Sequence, residues 1–475
     1  MKLKHQILLL IFVVFTALNS HAQGAWTLER CIDYALKNNI DLKLSSLQLE
    51  IGESNLTRSK AMMLPSINAN ANDVVNWGQT VDRYTNQFAN SRTTSINLYL
   101  QASITVFNGF KLLNTVKRNQ LDLAAQRYDL DYQADMKSME VTTAFLQILY
   151  DKENLKSKQE QVTLTQMQVD RTTKLVEAGS SAKGDLYNIK SQLASEQSIM
   201  IDAENLLNLS YLKLKQLLYL PGDTTLELFA PEIELTEGFY ELQNPYQVYD
   251  YALQNRPEIK SAEVRVESSK KDLSIAKGGI SPTLSMSGGL GSGYSGANKI
   301  IDGSPTFGGW TPSGDFTSAG DTVISPIFNY ATKPKVWDDQ LIDNKNYSIG
   351  LYLSIPIFNG LQNYTAISQS KIAMQQAELQ LEKSKWDMRQ TIEQAYGDAR
   401  SAYKQYQAAK FQSEALAEAF SYATQRYDAK MITAFEYNDA KIKLSQAQSD
   451  VLNAKYNYVF RIKVLDFYSG KPLSL

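Results

Sequence analysis

Residues 96–110 read INLYLQASITVFNGF, and this stretch decides the fold. Ile96, Leu98, Leu100, Ala102, Ile104 and Val106 alternate with Asn97, Tyr99, Gln101, Ser103 and Thr105. A period of two maintained this long is a β-strand with one apolar and one polar face. Its eleven residues also match a tilted strand crossing a bilayer. Asn108-Gly109 then ends the alternation. From about Phe110 to Glu177 the chain holds helix formers and no proline.

The same passage occurs again. Val106-Phe107-Asn108-Gly109 recurs as Ile357-Phe358-Asn359-Gly360, displaced by 251 residues. Upstream, Asp33-Tyr34-Ala35-Leu36-Lys37-Asn38-Asn39 recurs as Asp250-Tyr251-Ala252-Leu253-Gln254-Asn255-Arg256, displaced by 217. Leu64-Pro65-Ser66-Ile67 maps onto Ser281-Pro282-Thr283-Leu284 at that displacement. The chain is therefore a duplication, with about 34 extra residues between Pro282 and Ile357 of the second copy.

All twelve prolines avoid residues 66–220 and 357–471, the stretches where helix interiors exclude them. Copy one predicts a helix from Phe110 to Glu177, a break at Ala178-Gly179-Ser180-Ser181, and a helix from Gly184 to before Pro221. Copy two predicts the same from Leu361 to Lys430 and onward through Phe467. The long helices span roughly 100 Å at 1.5 Å per residue. An early helix is expected over Leu28–Met62, and its counterpart breaks at Pro257. Leu193, Met200, Leu207 and Leu214 fall seven apart, as do Leu444, Val451, Tyr458 and Leu465. Val162, Val169 and Val176 add a seam with Thr165 and Thr172 between them. Sevens sustained this way predict supercoiled, packed helices.

Each copy carries two strand patterns. Asn68, Asn70 and Asn72 alternate with Ile67, Ala69 and Ala71, while Thr283, Ser285 and Ser287 oppose Leu284, Met286 and Leu290. Ser348, Gly350, Tyr352, Ser354 and Pro356 oppose Ile349, Leu351, Leu353, Ile355 and Ile357. Four strands cannot close a membrane barrel, for which about eight is the minimum, and open edges are not tolerated in lipid. A dimer supplies eight strands and a trimer twelve, and the pattern does not choose. A small soluble sheet is the competing reading. The segments 75–93 and 292–345 read as polar loops, the second long enough to be a plug or a recognition surface.

At the N-terminus, Lys2 and Lys4 precede an apolar run from Gln6 to Leu18 that ends at Ala22. This predicts a secretory signal peptide over 1–22, too short for a membrane span. Both histidines, His5 and His21, fall within it, and Cys31 is the only cysteine. An intramolecular disulfide, a Cys-rich metal site and, once the leader is removed, His-based catalysis are thereby excluded. The formal charge of −2 becomes more negative without Lys2 and Lys4, which argues against nucleic acid. No metal, cofactor or phosphate-binding loop is indicated, so any transport energy must come from a partner.

The order helix, strand, strand, long helix, helix, given twice after a leader, resembles the TolC-like outer-membrane efflux proteins. Tyr34–Asn39, Leu64–Ser66 and Pro356–Gly360 carry the resemblance. It implies a long coiled-coil periplasmic α-barrel, with four strands per chain entering a twelve-stranded trimeric β-barrel. The implied partners are two further copies, outer-membrane lipid, a periplasmic adaptor and an inner-membrane transporter. It further implies a periplasmic gate at Tyr427, Glu436 and Asp439, whose acids would stack in rings that raise each other's pKa and attract cations. Adaptor docking falls to the helix turns, at Gly179, Ser180, Gly184, Asp185, Lys430 and Met431. The barrel lumen falls to Asn97, Tyr99, Gln101, Ser103, Ser348 and Tyr352. Ile432 stands where the family often has a latching arginine, and Lys430 where it has a glycine, so an ion-pair latch is not expected.

The domain plan is a first repeat over 23–220, a linker over 221–245 and a second repeat over 246–475. The expected function is a passive duct for small-molecule efflux rather than an enzyme. Protein secretion through the same duct is one alternative. A soluble periplasmic coiled-coil scaffold is another, but it leaves the paired strands without a reason.

Overall fold

The computed structural model describes residues 26–82, 84, 86, 88–90, 92–229 and 244–474. The leader at 1–22 lies outside them, as does most of the linker. Copy one runs α1 (Leu28–Asn38), α2 (Ile40–Ala61), β1 (Ser66–Asn76), β2 (Gln79–Val81), β3 (Phe88–Asn90), β4 (Thr93–Phe107), α3 (Lys111–Glu177) and α4 (Lys183–Leu217). Copy two runs α5 (Pro245–Asn255), α6 (Pro257–Gly278), β5 (Thr283–Ser295), β6 (Lys299–Ile301), β7 (Thr306–Phe316), β8 (Thr322–Asn329) and β9 (Thr332–Pro334). It continues through α7 (Trp337–Asp343), β10 (Asn346–Ser354), α8 (Gln362–Asp428) and α9 (Ala434–Tyr468).

The duplication is kept to the residue. α3 and α8 are each 67 residues long, α4 and α9 each 35. All four hold the displacement of 251, and α1/α5 and α2/α6 hold that of 217. One expected helix needs correction: Leu28–Met62 is two helices, broken at Asn39. Asn39 is extended (φ −60°, ψ 126°) and its side chain accepts from the Leu42 N–H at 3.1 Å. That is a helix cap placed inside an otherwise helical pattern. The Pro257 break stands as expected, with proline at the first position of α6, where its missing N–H costs nothing.

The chain divides into two compact units, each containing segments of both repeats. One is helical and draws on residues up to Glu53, Leu121–Glu267 and from Gln375 onward. Its core sets Leu28, Cys31 and Ala35 against Val141, Phe145, Ile148, Leu214 and Leu218. Copy two rebuilds this with Val248, Ala252 and Ile259 against Met388 and Ile392. Val248 is the counterpart of Cys31, Ala252 of Ala35 and Ile392 of Val141, so these three positions serve both cores.

The other unit, Ser54–Gln120 with Ser268–Met374, holds a four-stranded antiparallel sheet in the order β1-β4-β5-β10. β4 extends over 15 residues, past both ends of the alternating stretch. β10 stops at Ser354, short of the alternation expected through Ile357, because Pro356 has no N–H for a ladder. At the strand-to-helix junctions two consecutive residues adopt positive φ: Gly109 and Phe110 at 67° and 61°, Gly360 and Leu361 at 63° and 65°. The repeated Phe-Asn-Gly marks this reversal, which glycine allows without strain. The segment 292–345 is not a plain loop. It contains β6 paired with β9, β7 paired with β8, and α7.

Candidate functional site

Sheet register tests the proposed lumen residues directly, because residues opposite each other share a face. Asn97, Tyr99, Gln101 and Ser103 lie opposite Asn72, Asn70, Asn68 and Ser66 of β1. On their other side stand Gly293, Gly291, Gly289 and Ser287 of β5, and Ser348 and Tyr352 of β10 oppose Gly289 and Ser285. All six candidates therefore share one face, which carries no charged side chain among these residues. The opposite face gathers Ile67, Ala69, Leu98, Leu100, Ala102, Ile104, Leu284, Met286, Leu290, Ile349, Leu351 and Leu353, with Asp73 on it toward the end of β1, opposite Ile96. Ile349 is 80% exposed and Leu351 68%. A sheet with one bare apolar face is built for contact with lipid rather than water. No helix among the described residues is long and apolar enough to cross a membrane.

Glycines on β5 make room for phenols on the polar face. A side chain at Gly289 would collide with the Tyr99 ring, and one at Gly293 with Tyr84. The Tyr84 hydroxyl donates to Asn97 Oδ1 at 2.8 Å. Beyond the strands, buried Gln340 of α7 accepts from the Ser295 N–H at 2.9 Å, and Ser295 also bonds Asp82. Tyr84, Asp82 and Gln340 were not legible as site residues, since nothing in their neighbourhood has a periodic pattern.

The turn between α8 and α9 places the gate candidates. Tyr427 stacks on Tyr437, ring centroids 4.7 Å apart, and Phe420 lies 5.4 Å from the same ring. Glu436 completes a capping box: its carboxylate accepts from the Thr433 N–H at 2.8 Å while Thr433 Oγ1 accepts from the Glu436 N–H. These bonds hold the Glu436 carboxyl below the usual glutamate range, the backbone N–H contributing most. Asp439 pairs with Lys443 at 2.6 Å one turn on. In the single chain each acid thus has its own partner.

The docking candidates lie at the two turns, all exposed except the half-buried Asp185. Gly179 (φ 73°) and Lys430 (φ 57°) close α3 and α8 in left-handed conformation, 251 residues apart. Ser180 donates its N–H to the Leu175 carbonyl, and Met431 to that of Arg426, the same closing bond in both copies. Asp185 accepts from the Ser181 hydroxyl at 3.1 Å, beside Gly184. Met431 and Phe435 are 71% and 81% exposed. Arg171 and Asp428 join the two hairpins at 2.8 Å.

Farther from the turns lies a buried polar cluster that sequence reasoning missed. Glu196 of α4 lies 3.5 Å from Lys441 of α9, and Thr165 of α3 hydrogen-bonds to both. Burial lowers the Lys441 pKa, opposed by the Glu196 charge. The signal was present, because Glu196 falls in a stripe of sevens with Ile189, Ala203 and Ser210 that is buried throughout.

Comparison with known proteins matches this geometry. The outer membrane efflux protein family aligns over residues 31–218 and 248–470, one match per repeat. The chain belongs to that family. Outer membrane protein TolC of Vibrio cholerae is 20% identical over 462 residues, covering 96% of this chain and 93% of that protein. The Escherichia coli protein of the same name is 23% identical over 469 residues, covering 96% and 84%. Among solved structures, the fold matches CusC at TM-score 0.74 and 16% identity, covering 96% of each chain. VceC of V. cholerae gives 0.74 at 16% identity, covering 94% of this chain and 96% of its own. This outer membrane efflux protein accordingly has the TolC-like fold and an outer-membrane location, and it serves efflux as a channel subunit.

Proposed function

We propose that three copies of the chain form a passive, non-enzymatic export duct with a twelve-stranded barrel, fed by an inner-membrane transporter through a periplasmic adaptor. One observation carries the reading: the sheet β1-β4-β5-β10 ends in two edges and bears an apolar face. Edges cannot face lipid unpaired, so β10 of one copy must meet β1 of the next until a barrel closes. The uncharged polar face, with Asn, Gln, Ser and Tyr, gives a water-filled lumen with little selectivity, and cargo choice falls to the transporter. Small molecules are the proposed cargo. The exposed Met431 and Phe435 at the turn between α8 and α9 supply an apolar footing for the adaptor.

The gate is assigned to Tyr427, Glu436 and Asp439 around the second-copy turn. Their rings would approach one another only in the trimer. The first test is fractionation of the expressed protein and sizing of its detergent extract. An outer-membrane trimer supports the duct, and a soluble periplasmic monomer removes it. The gate has its own test: Glu436→Ala with Asp439→Ala should raise single-channel conductance in planar bilayers, and unchanged conductance discards the assignment.

A further inference from the structure

The 34 residues that distinguish copy two from copy one build most of a two-stranded ribbon with one apolar face. β6 and β9 pair at its base, where the Lys335 N–H bonds the Asn298 carbonyl and the Asp302 N–H bonds that of Ala331. β7 and β8 continue it, with Phe307 opposite Phe328, Trp310 opposite Pro326, and Pro312 opposite Ile324. A register shift between Phe307 and Gly309 returns Phe307 to the phase of Trp310, and Gly309 takes φ 120° to make it. The other face carries Thr306 with Asn329, Gly309 with Ile327, and Thr311 with Ser325.

Within the apolar face the rings pack edge to face, Phe307 lying 5.6 Å from Trp310 and 6.4 Å from Phe328. Yet Phe307 and Trp310 remain 58% and 61% exposed. From Gly303 to Ala331 the only charged side chains are Asp315 and Asp321, both at the far tip. Such depletion of charge is unneeded for a ribbon surrounded by water, where isolated hairpins gain from solvating groups.

We propose that this ribbon is a membrane-interface element: its aromatic face lies in the headgroup–acyl boundary of the lipid around the barrel, and its tip aspartates point to water. Continuity argues for lipid as the occupant. The ribbon leaves β5 at Ser295 and returns to β10 at Asn346, two strands whose apolar face meets that bilayer. Tryptophan and phenylalanine prefer this boundary, where barrel proteins carry aromatic girdles. The aspartates fit water and not lipid. The opposite face, with Thr306, Thr311, Ser325 and Asn329 around Ile327, supplies the more polar side that an interfacial element needs.

This inference rests on the strands crossing the membrane. The test uses the full-length protein in phosphatidylcholine vesicles whose acyl chains carry bromine near the headgroup end. The emission of Trp310 is read as the difference between wild type and Trp310→Phe, after sizing confirms that both insert as the same oligomer. Brominated lipid should quench that emission, and aqueous iodide should leave it nearly unchanged. Quenching by iodide and not by bromine would place the ribbon in water and overturn the proposal. Protection from both would mean that protein covers the face, either a neighbouring copy or a partner, and overturns it equally. Failure to insert at all would count against the duct and not specifically against the ribbon.

Discussion

At the ends of α3, α4, α8 and α9 the chain turns through a single left-handed residue, and the two copies assign glycine to opposite turns. Copy one has Gly179 and then Tyr219; copy two has Lys430 and then Gly470. The backbone geometry has outlasted the residue that favours it. A non-glycine residue in this conformation costs roughly 1–2 kcal/mol, partly offset by glycine's larger loss of freedom on folding. Lys430→Gly should therefore raise stability by about 1 kcal/mol, read as a higher denaturant midpoint. Lys430 sits at a docking candidate, so the same variant separates stability from partner binding. Six residues on, the capping box makes Glu436 sensitive to pH. Its folded pKa is lowered, so its stabilising contribution is present above the usual value of about 4.3 and is lost as pH falls through the lower folded value. Melting curves of wild type and Glu436→Gln, compared from neutral to acid pH, should converge in that acid window; a constant gap would mean that the carboxylate does not titrate with folding.

The elements show why some features were legible and others were not. α3 and α8, α4 and α9, and the four barrel strands could be read because period and proline exclusion extend over many residues, leaving little freedom in placement. The break at Asn39 was missed because a single cap supplies no periodic signal. The ribbon at 299–334 read as a loop because its turns and prolines interrupt every alternation. The helix seam was legible as heptads, but its chemistry was not: its buried positions include Thr165, Glu196 and Lys441 as well as aliphatic residues. An ion pair in such a seam adds little net stability, since desolvation opposes the attraction, but removing one partner strands the other. Lys441→Met alone should cost about 3–5 kcal/mol. Lys441→Met combined with Glu196→Leu should recover most of that loss, and a double variant as unstable as the single would show that Thr165 or packing carries the site.

On the scale of the whole molecule, a single chain leaves its sheet unfinished, and the number of copies that finish it can be counted. Closure requires β10 of one copy to lie antiparallel to β1 of another, with facing Cα atoms within disulfide range of about 4.4–6.8 Å. Cysteines placed in pairs on the polar faces of the two edges, Asn68, Asn70 or Asn72 with Ser348, Gly350 or Tyr352, should include at least one that cross-links. The native thiol will not interfere, because Cys31 is buried and burial pushes its pKa up to about 12. Oxidised membranes run without reductant should show dimers and trimers and nothing larger. A ladder ending at dimer would indicate an eight-stranded closure, and a duct narrower than the fold's relatives suggest. If no pair cross-links while the protein remains folded in the membrane, the two edges are covered by something other than a second copy. The barrel would then have to be abandoned.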